Sequence, residues 1–187
     1  MRFGHLLGYA VVFLSLASAF PAGGSGQAIK VKPKPAIPNV GLGTITVTAT
    51  PALVNFSLVP KTAVVGSPAV NITTSWSGLT LLGTITLYGF FSSSNALTGQ
   101  LSTTSIPTAD VFGQVTTGLP TAYTAFTQTN TFGGAGASLK LFAQPILVAI
   151  TPGSRTDALN LKIDLTSLPQ LPADKYTGTL TLQAQEM

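Results

Sequence analysis

Alternation of apolar and hydroxylated side chains with a period of two residues is the feature that most restricts the fold of this chain. In the segment 44–50, Ile45, Val47 and Ala49 alternate with four threonines. Strict alternation over about 4–8 residues predicts a strand with one buried and one wetted face. Such strands are typical of antiparallel sheets, since the strands of parallel sheets are usually buried on both faces. The pattern recurs in segments 54–58, 70–76, 84–91, 159–165 and 179–185.

Three further segments, at 111–117, 122–127 and 138–150, predict strands from weaker alternation. Clusters of proline, glycine, serine and asparagine separate the segments, and no stretch has the period of about 3.6 residues that indicates a helix. About eight to ten short strands at this spacing predict an all-β, antiparallel β-sandwich. Because the sequence contains no long internal repeat, we expect one domain over residues 43–187.

Residues 1–19 have the pattern of a secretory signal peptide. Arg2 and His5 precede an apolar stretch, Leu6–Leu16, and Ala17–Ala19 then supplies small residues for cleavage. The stretch is shorter than the roughly 20 apolar residues that span a bilayer, so a cleaved signal is favoured over a membrane anchor. We therefore expect export to the periplasm, the cell surface or the extracellular space, with no membrane span after cleavage.

Residues 20–42 differ in composition from the rest of the chain. Glycines cluster early in this region, and prolines then interrupt a stretch that carries Lys30, Lys32 and Lys34. Proline removes backbone donors and stiffens the chain, which predicts a flexible, exposed linker rather than part of a domain. Three lysines fall short of a polybasic cluster, so we interpret them as solvated charges rather than as a site for an acidic partner or lipid headgroups.

Charged residues are scarce, at 7% of the chain compared with roughly 25% in an ordinary soluble domain. From residue 41 onward, five basic side chains balance five acidic ones, which argues against a nucleic-acid surface. Few lysines are therefore present to protect the sheet edges. We interpret this as a sign that strand edges pair with another copy or with a partner protein.

Residues suited to catalysis are almost missing. The chain has no cysteine, and its single histidine is His5 in the predicted signal peptide. The glycine cluster at 133–136 lacks the Lys-Ser or Lys-Thr that follows in a phosphate-binding loop. We expect no catalytic residue, no cofactor and no metal site, and an enzyme built on an unusual Ser–Lys or acid pair is the least favoured hypothesis. The acids show no paired spacing: Asp110, Asp157, Asp164, Asp174 and Glu186.

Aromatic residues offer an alternative function. Tyr88 and Phe90 are separated from polar Thr84 and Thr86 by even numbers of residues, which places all four on the same face of a strand. If that face is wetted, they would present rings to a sugar or an apolar peptide. Together with the loop aromatics Tyr123 and Phe126, they would form a binding platform on a secreted carbohydrate- or protein-binding module. If the strand is covered on both faces, the same rings belong to a core or an interface.

The segment 168–182 resembles the closing segment of bacterial fimbrial subunits, particularly the spore-coat-U type of the archaic chaperone–usher pili. Leu171-Pro172-Ala173 and Tyr176 stand in matching places, and Asp174 occupies the position of a glycine. The resemblance implies an immunoglobulin-like β-sandwich that lacks its last strand. It also implies that an extension from a neighbouring subunit fills the resulting groove by strand addition.

The segment 44–50 has two interpretations under this resemblance. Ile45, Val47 and Ala49 would face the core either of a neighbouring subunit, as a donated strand, or of their own domain, as its first strand. Burial of Ile45 and Val47 would contribute roughly 3–6 kcal/mol before ordering costs. We therefore expect an exported, non-catalytic structural or surface-assembly protein, with the secreted binding module as the alternative.

Overall fold

In the computed structural model, the structure describes residues 27–34, 43–79, 83–130, 132–146 and 152–187. The predicted signal peptide lies outside these residues. Within them, the chain forms strands and one short 3₁₀ turn at Thr108–Asp110, and no helix there is long and apolar enough to cross a bilayer. The strands are β1 Gln27–Pro33, β2 Thr44–Thr50, β3 Leu53–Phe56, β4 Ala63–Val65, β5 Val70–Ser77, β6 Thr84–Phe90, β7 Asn95–Gly99, β8 Ser105–Pro107, β9 Val111–Val115, β10 Thr124–Ala125, β11 Ser138–Pro145, β12 Gly153–Asp164 and β13 Tyr176–Glu186.

The described strands form two sheets. Sheet A has the order β11-β6-β13-β1-β3, and β7 and β8 extend it beside the start of β13. Sheet B has the order β10-β9-β12-β5-β2, and β4 pairs with the end of β12. All described pairs are antiparallel except that of β1 with β13, which is parallel. The predicted all-β, two-sheet architecture is confirmed.

The core lies between the two sheets and follows the alternation of the sequence. Leu180 and Leu182 of β13 belong to the same buried cluster as Leu159, Leu161 and Ile163 of β12, and each of these side chains is at most 1% exposed. Burial of one such side chain contributes about 1.5–3 kcal/mol relative to leaving it in water. The polar residues between them face away from the opposite sheet, as the period of two requires.

The predicted linker is wrong for residues 27–33, which form β1 inside sheet A, between β13 and β3. Ile29 and Val31 are 0% and 1% exposed, whereas Lys30 lies on the opposite, exposed face. The alternation of apolar and charged residues in this segment is therefore a strand pattern, although prolines and glycines surround it. Pro33 is the last residue of β1, so its missing N–H does not interrupt the strand.

The weaker strand predictions are shortened by the structure. Segment 111–117 contributes β9, segment 122–127 contributes only the two residues of β10, and segment 138–150 contributes β11, which ends at Pro145. Residues 147–150 of the last prediction lie outside the described residues. A β-bulge between Lys140 and Phe142 changes which face each side chain of β11 occupies, which explains its irregular alternation.

Candidate assembly interface

The slot between β13 and β3 is the first candidate interface, and β1 occupies it. Ile29 lies in register with Gly178 of β13 on one side and with Val54 of β3 on the other. The hydrogen bonds continue to the ends of β1, where the N–H of Val31 donates to the carbonyl of Ala52 at 2.9 Å and that of Lys34 to Leu182 at 2.8 Å. Without β1, these two neighbours would be separated by an open groove with an apolar floor.

The start of β13 is fixed by a buried tyrosine. Tyr176 is 2% exposed, and its hydroxyl donates a hydrogen bond to the carbonyl of Pro172, four residues earlier, at 3.1 Å. This bond holds the turn that leads into β13. The strand next to the slot therefore begins at a defined position, which sets the register that β1 meets.

Asp174 ties the same turn to the loop between β7 and β8. Its carboxylate accepts hydrogen bonds from the N–H of Ser102 at 2.6 Å, the hydroxyl of Ser102 at 2.8 Å, and the N–H of Leu101 at 2.9 Å. A further bond comes from the N–H of Lys175 at 2.6 Å. These donors stabilise the carboxylate, the backbone N–H of Ser102 most of all, and they lower the pKa of Asp174 to about 2.

We expect Asp174 to make the protein sensitive to acid. Because its pKa falls from 3.8 to about 2 on folding, its stabilising contribution is complete above about pH 4 and is lost as the pH falls towards 2. The variant Asp174→Asn should therefore melt below the wild type at pH 7, and the two melting temperatures should converge near pH 2. Thermal melts at several pH values measure this difference. A difference that stays constant from pH 7 to pH 2 would contradict the assignment.

The edge of sheet B is the second candidate interface. The segment 44–50 is β2, which pairs antiparallel with β5 of its own domain and places Val47 opposite Thr74. Val47 is 9% exposed, and Ile45 and Ala49 are partly buried against the same core. Of the two interpretations for these residues, the structure agrees with the second: they form a strand of their own domain. No described strand lies on the other side of β2.

The predicted aromatic platform is not assembled, because its four rings lie in three separate places. Tyr88 and Phe90 lie on the outer face of sheet A beside Phe132, with ring centroids 6.4 and 6.1 Å away, and Phe90 is only 6% exposed. Tyr123 lies at sheet B, 5.3 Å from the ammonium group of Lys162. Phe126 is 0% exposed, since it turns into the core just after the two-residue strand β10.

Two polar side chains on the outer face of sheet A are buried, which the sequence does not indicate. Thr86 and Gln183 are 1% and 0% exposed, and neither the hydroxyl of Thr86 nor the amide of Gln183 has a hydrogen-bond partner. Gln183 lies opposite Tyr88 in the pairing of β13 with β6. Alternation alone assigns both residues to a wetted face, so the prediction is wrong for them.

An ion pair with a buried carboxylate lies in β12. The guanidinium of Arg155 contacts the carboxylate of Asp157 at 2.6 Å and stacks over the ring of Phe142 at 4.4 Å. Asp157 is 1% exposed and also accepts a hydrogen bond from the hydroxyl of Thr117 at 2.6 Å. The pair therefore connects β12 to the segment after β9 and to the edge strand β11.

The other acids have local partners as well. Asp164 accepts a hydrogen bond from the hydroxyl of Thr166 at 2.6 Å, which is the main reason that its pKa is lowered, and Asp110 accepts one from Ser167 at 3.2 Å. Among the described residues, no three acidic, histidine or cysteine side chains lie close enough together to hold a metal ion. The carboxylates of Asp110, Asp157, Asp164 and Asp174 thus hold loops and strand ends together.

No protein-family model matches the chain, and no curated protein matches it significantly.

Proposed function

We propose that this protein is an exported, non-catalytic structural subunit that assembles through its strand edges, with an immunoglobulin-like sandwich of the fimbrial type. One observation carries the proposal. β1, the first described strand, fills a slot inside sheet A, and its pairing with β13 is the only parallel one among the described strands. A strand that completes a sheet by filling a slot between two other strands is suited to exchange between copies.

The turn before β13 supports the immunoglobulin-like part of the proposal. Sandwiches of that type carry a buried tyrosine near the start of a strand, and its hydroxyl bonds back to the backbone a few residues upstream. Tyr176 and the carbonyl of Pro172 make this contact here. Both residues belong to the Leu-Pro-Ala…Tyr segment whose resemblance to fimbrial subunits predicts such a fold.

The energetics of β1 support exchange. Ile29 and Val31 contribute roughly 3–6 kcal/mol by burial, and this contribution is the same whether the slot belongs to their own domain or to a neighbour. A closed monomer and an assembly linked by exchanged strands therefore contain the same contacts. Concentration then decides which form is populated.

The role of the acids supports a structural function. Asp157, Asp164 and Asp174 each accept hydrogen bonds from groups of the same domain and hold an ion pair, a turn and a loop in place. Hydrogen bonds of this kind order loops and strand ends, which is the role expected of acids in a structural domain.

A competing peptide tests the proposal. We expect the purified protein to form assemblies larger than a monomer, and we expect a peptide of residues 27–33 in large excess to reduce them, because it would occupy the slot beside β13. Sedimentation velocity and negative-stain microscopy measure the assemblies. The matched control peptide carries Ile29→Asp and Val31→Asp, which would bury two carboxylates and should leave assembly unchanged.

Two results would contradict the proposal at different levels. A protein that stays monomeric at every accessible concentration would refute assembly altogether. If the peptide does not reduce the assemblies, exchange of β1 is refuted, and assembly through another edge still stands.

A further inference from the structure

β2 is the least protected edge among the described strands. It has seven residues, no charge and no bulge, and the side of its backbone that faces away from β5 has no described partner. The other long edge, β11, has the devices that usually prevent pairing: a bulge, an exposed lysine at 140 and a proline at 145. β3 has four residues and bridges to Ser67, and β10 has only two.

The sequence of β2 is nearly symmetric about its central residue. The sequence Thr-Ile-Thr-Val-Thr-Ala-Thr reads the same in both directions except at one pair of positions, where Ile45 on one side of Val47 corresponds to Ala49 on the other. If two copies of β2 pair antiparallel about Val47, every threonine faces a threonine and every apolar residue faces an apolar residue. The pairs would be Val47 with Val47, Thr46 with Thr48, Ile45 with Ala49, and Thr44 with Thr50.

We propose that β2 pairs with β2 of a second copy of this chain, about a two-fold axis at Val47. The axis is perpendicular to the sheet, so the two B sheets join into one continuous sheet and the core-facing rows of both copies continue across the junction. The contact is separate from the slot that β1 fills. It depends on the proposed function only for the statement that this chain associates with itself.

The chemistry of β2 favours a second copy over another protein. The exposed row consists of threonines alone, and threonines directly opposite each other form favourable cross-strand pairs. A two-fold contact about Val47 places each residue opposite the one at the same distance on the other side of Val47, so a strand with charges of one sign would repel itself whereas this strand does not. Pairing with a different strand would not require a sequence that is nearly symmetric about Val47.

Cysteine cross-linking tests the register. The chain contains no cysteine, so a single substitution forms disulfides only between copies. In the proposed pair, residue 47 lies directly opposite its mate, within the Cα separation of about 4.4–6.8 Å that a disulfide requires. Val47→Cys should therefore give a covalent dimer under mild oxidation. The matched control is Thr44→Cys, whose mate lies about 20 Å away across six residue steps, and it should stay uncross-linked.

Charge variants test the contact itself. Thr46 and Thr48 are both exposed, so Thr46→Lys with Thr48→Lys leaves the core unchanged and places lysines opposite lysines. We expect this variant, and the corresponding double variant with glutamate, to raise the dimer dissociation constant about 10- to 100-fold in sedimentation equilibrium. Mixing the two variants should restore dimers, and the control Thr179→Lys, at an exposed position within sheet A, should dimerise like the wild type.

The outcomes separate this inference from the proposed function. If the lysine double variant assembles like the wild type, or if Thr44→Cys cross-links as well as Val47→Cys, pairing through β2 is refuted while assembly through another edge stands. If the wild type is monomeric at all concentrations, both are refuted.

Discussion

Ile29→Ala should lower the free energy of unfolding by about 2–5 kcal/mol, because it truncates a fully buried side chain on an interior strand of sheet A and leaves a cavity. Ile29 packs between the strands that carry Val54 and Leu180, and both of these side chains are at most 1% exposed. Neighbouring strands held on both sides by hydrogen bonds cannot move together easily to fill the space. Urea denaturation of the purified chain measures the effect.

The neighbouring residue provides a matched control. Lys30→Ala changes the same strand by truncating a side chain on its exposed face, so we expect a change within about 0.5 kcal/mol. The pair separates the two interpretations of this segment, because in a solvated linker neither substitution would matter. Equal and small effects would show that β1 is not docked in the folded protein. The measurement holds whether β1 fills its own slot or that of a neighbour, provided that the protein concentration is constant.

The segment around Ile29 also shows the limit of prediction from sequence. The alternation in the second half of β12, from Leu159, and in β13 is uninterrupted, so the buried faces of these segments can be predicted from the sequence alone, whereas the buried Asp157 earlier in β12 cannot. In β1 the alternation covers few residues, and the prolines and glycines around it indicate a linker. What stabilises β1 is the slot between β13 and β3, which exists only after distant parts of the chain have come together.

The candidate interface, too, could be predicted from the sequence only in part. The sequence predicts that 44–50 is a strand, but only the topology of sheet B shows that it is an edge strand paired with β5. Parity correctly assigns Tyr88 and Phe90 to the face away from the core. It does not predict the burial of Phe90 or Gln183. Alternation along a strand determines on which face of the sheet a side chain lies, but not which other residues pack over that face. For Phe126, a two-residue strand is too short for a period to appear.

Arg155→Met should lower the free energy of unfolding by about 3 kcal/mol at pH 7. Asp157 would remain buried at 1% exposure without its counter-ion, and an uncompensated buried charge usually costs about 3–5 kcal/mol. We expect the lower end of this range, because the side chain of Arg155 is 23% exposed and its contribution is partly screened by water. Methionine retains the packing against Phe142, so the measured loss reports the charge rather than a cavity. Urea denaturation again provides the measurement.

A double variant distinguishes the buried charge from the contacts of Arg155 with its other neighbours. Arg155→Met with Asp157→Leu removes both charges, so no carboxylate is left uncompensated in the core, and the double variant should be more stable than Arg155→Met alone. The matched surface control is Lys162→Met, whose pair with Asp164 spans 3.8 Å with both side chains about a quarter exposed, and it should cost less than about 1 kcal/mol. If the double variant is as unstable as Arg155→Met, the loss comes from the bond of Arg155 to the carbonyl of Thr117 and from its stacking, and the role of the buried charge is refuted. If it recovers, Arg155 is required because it neutralises Asp157.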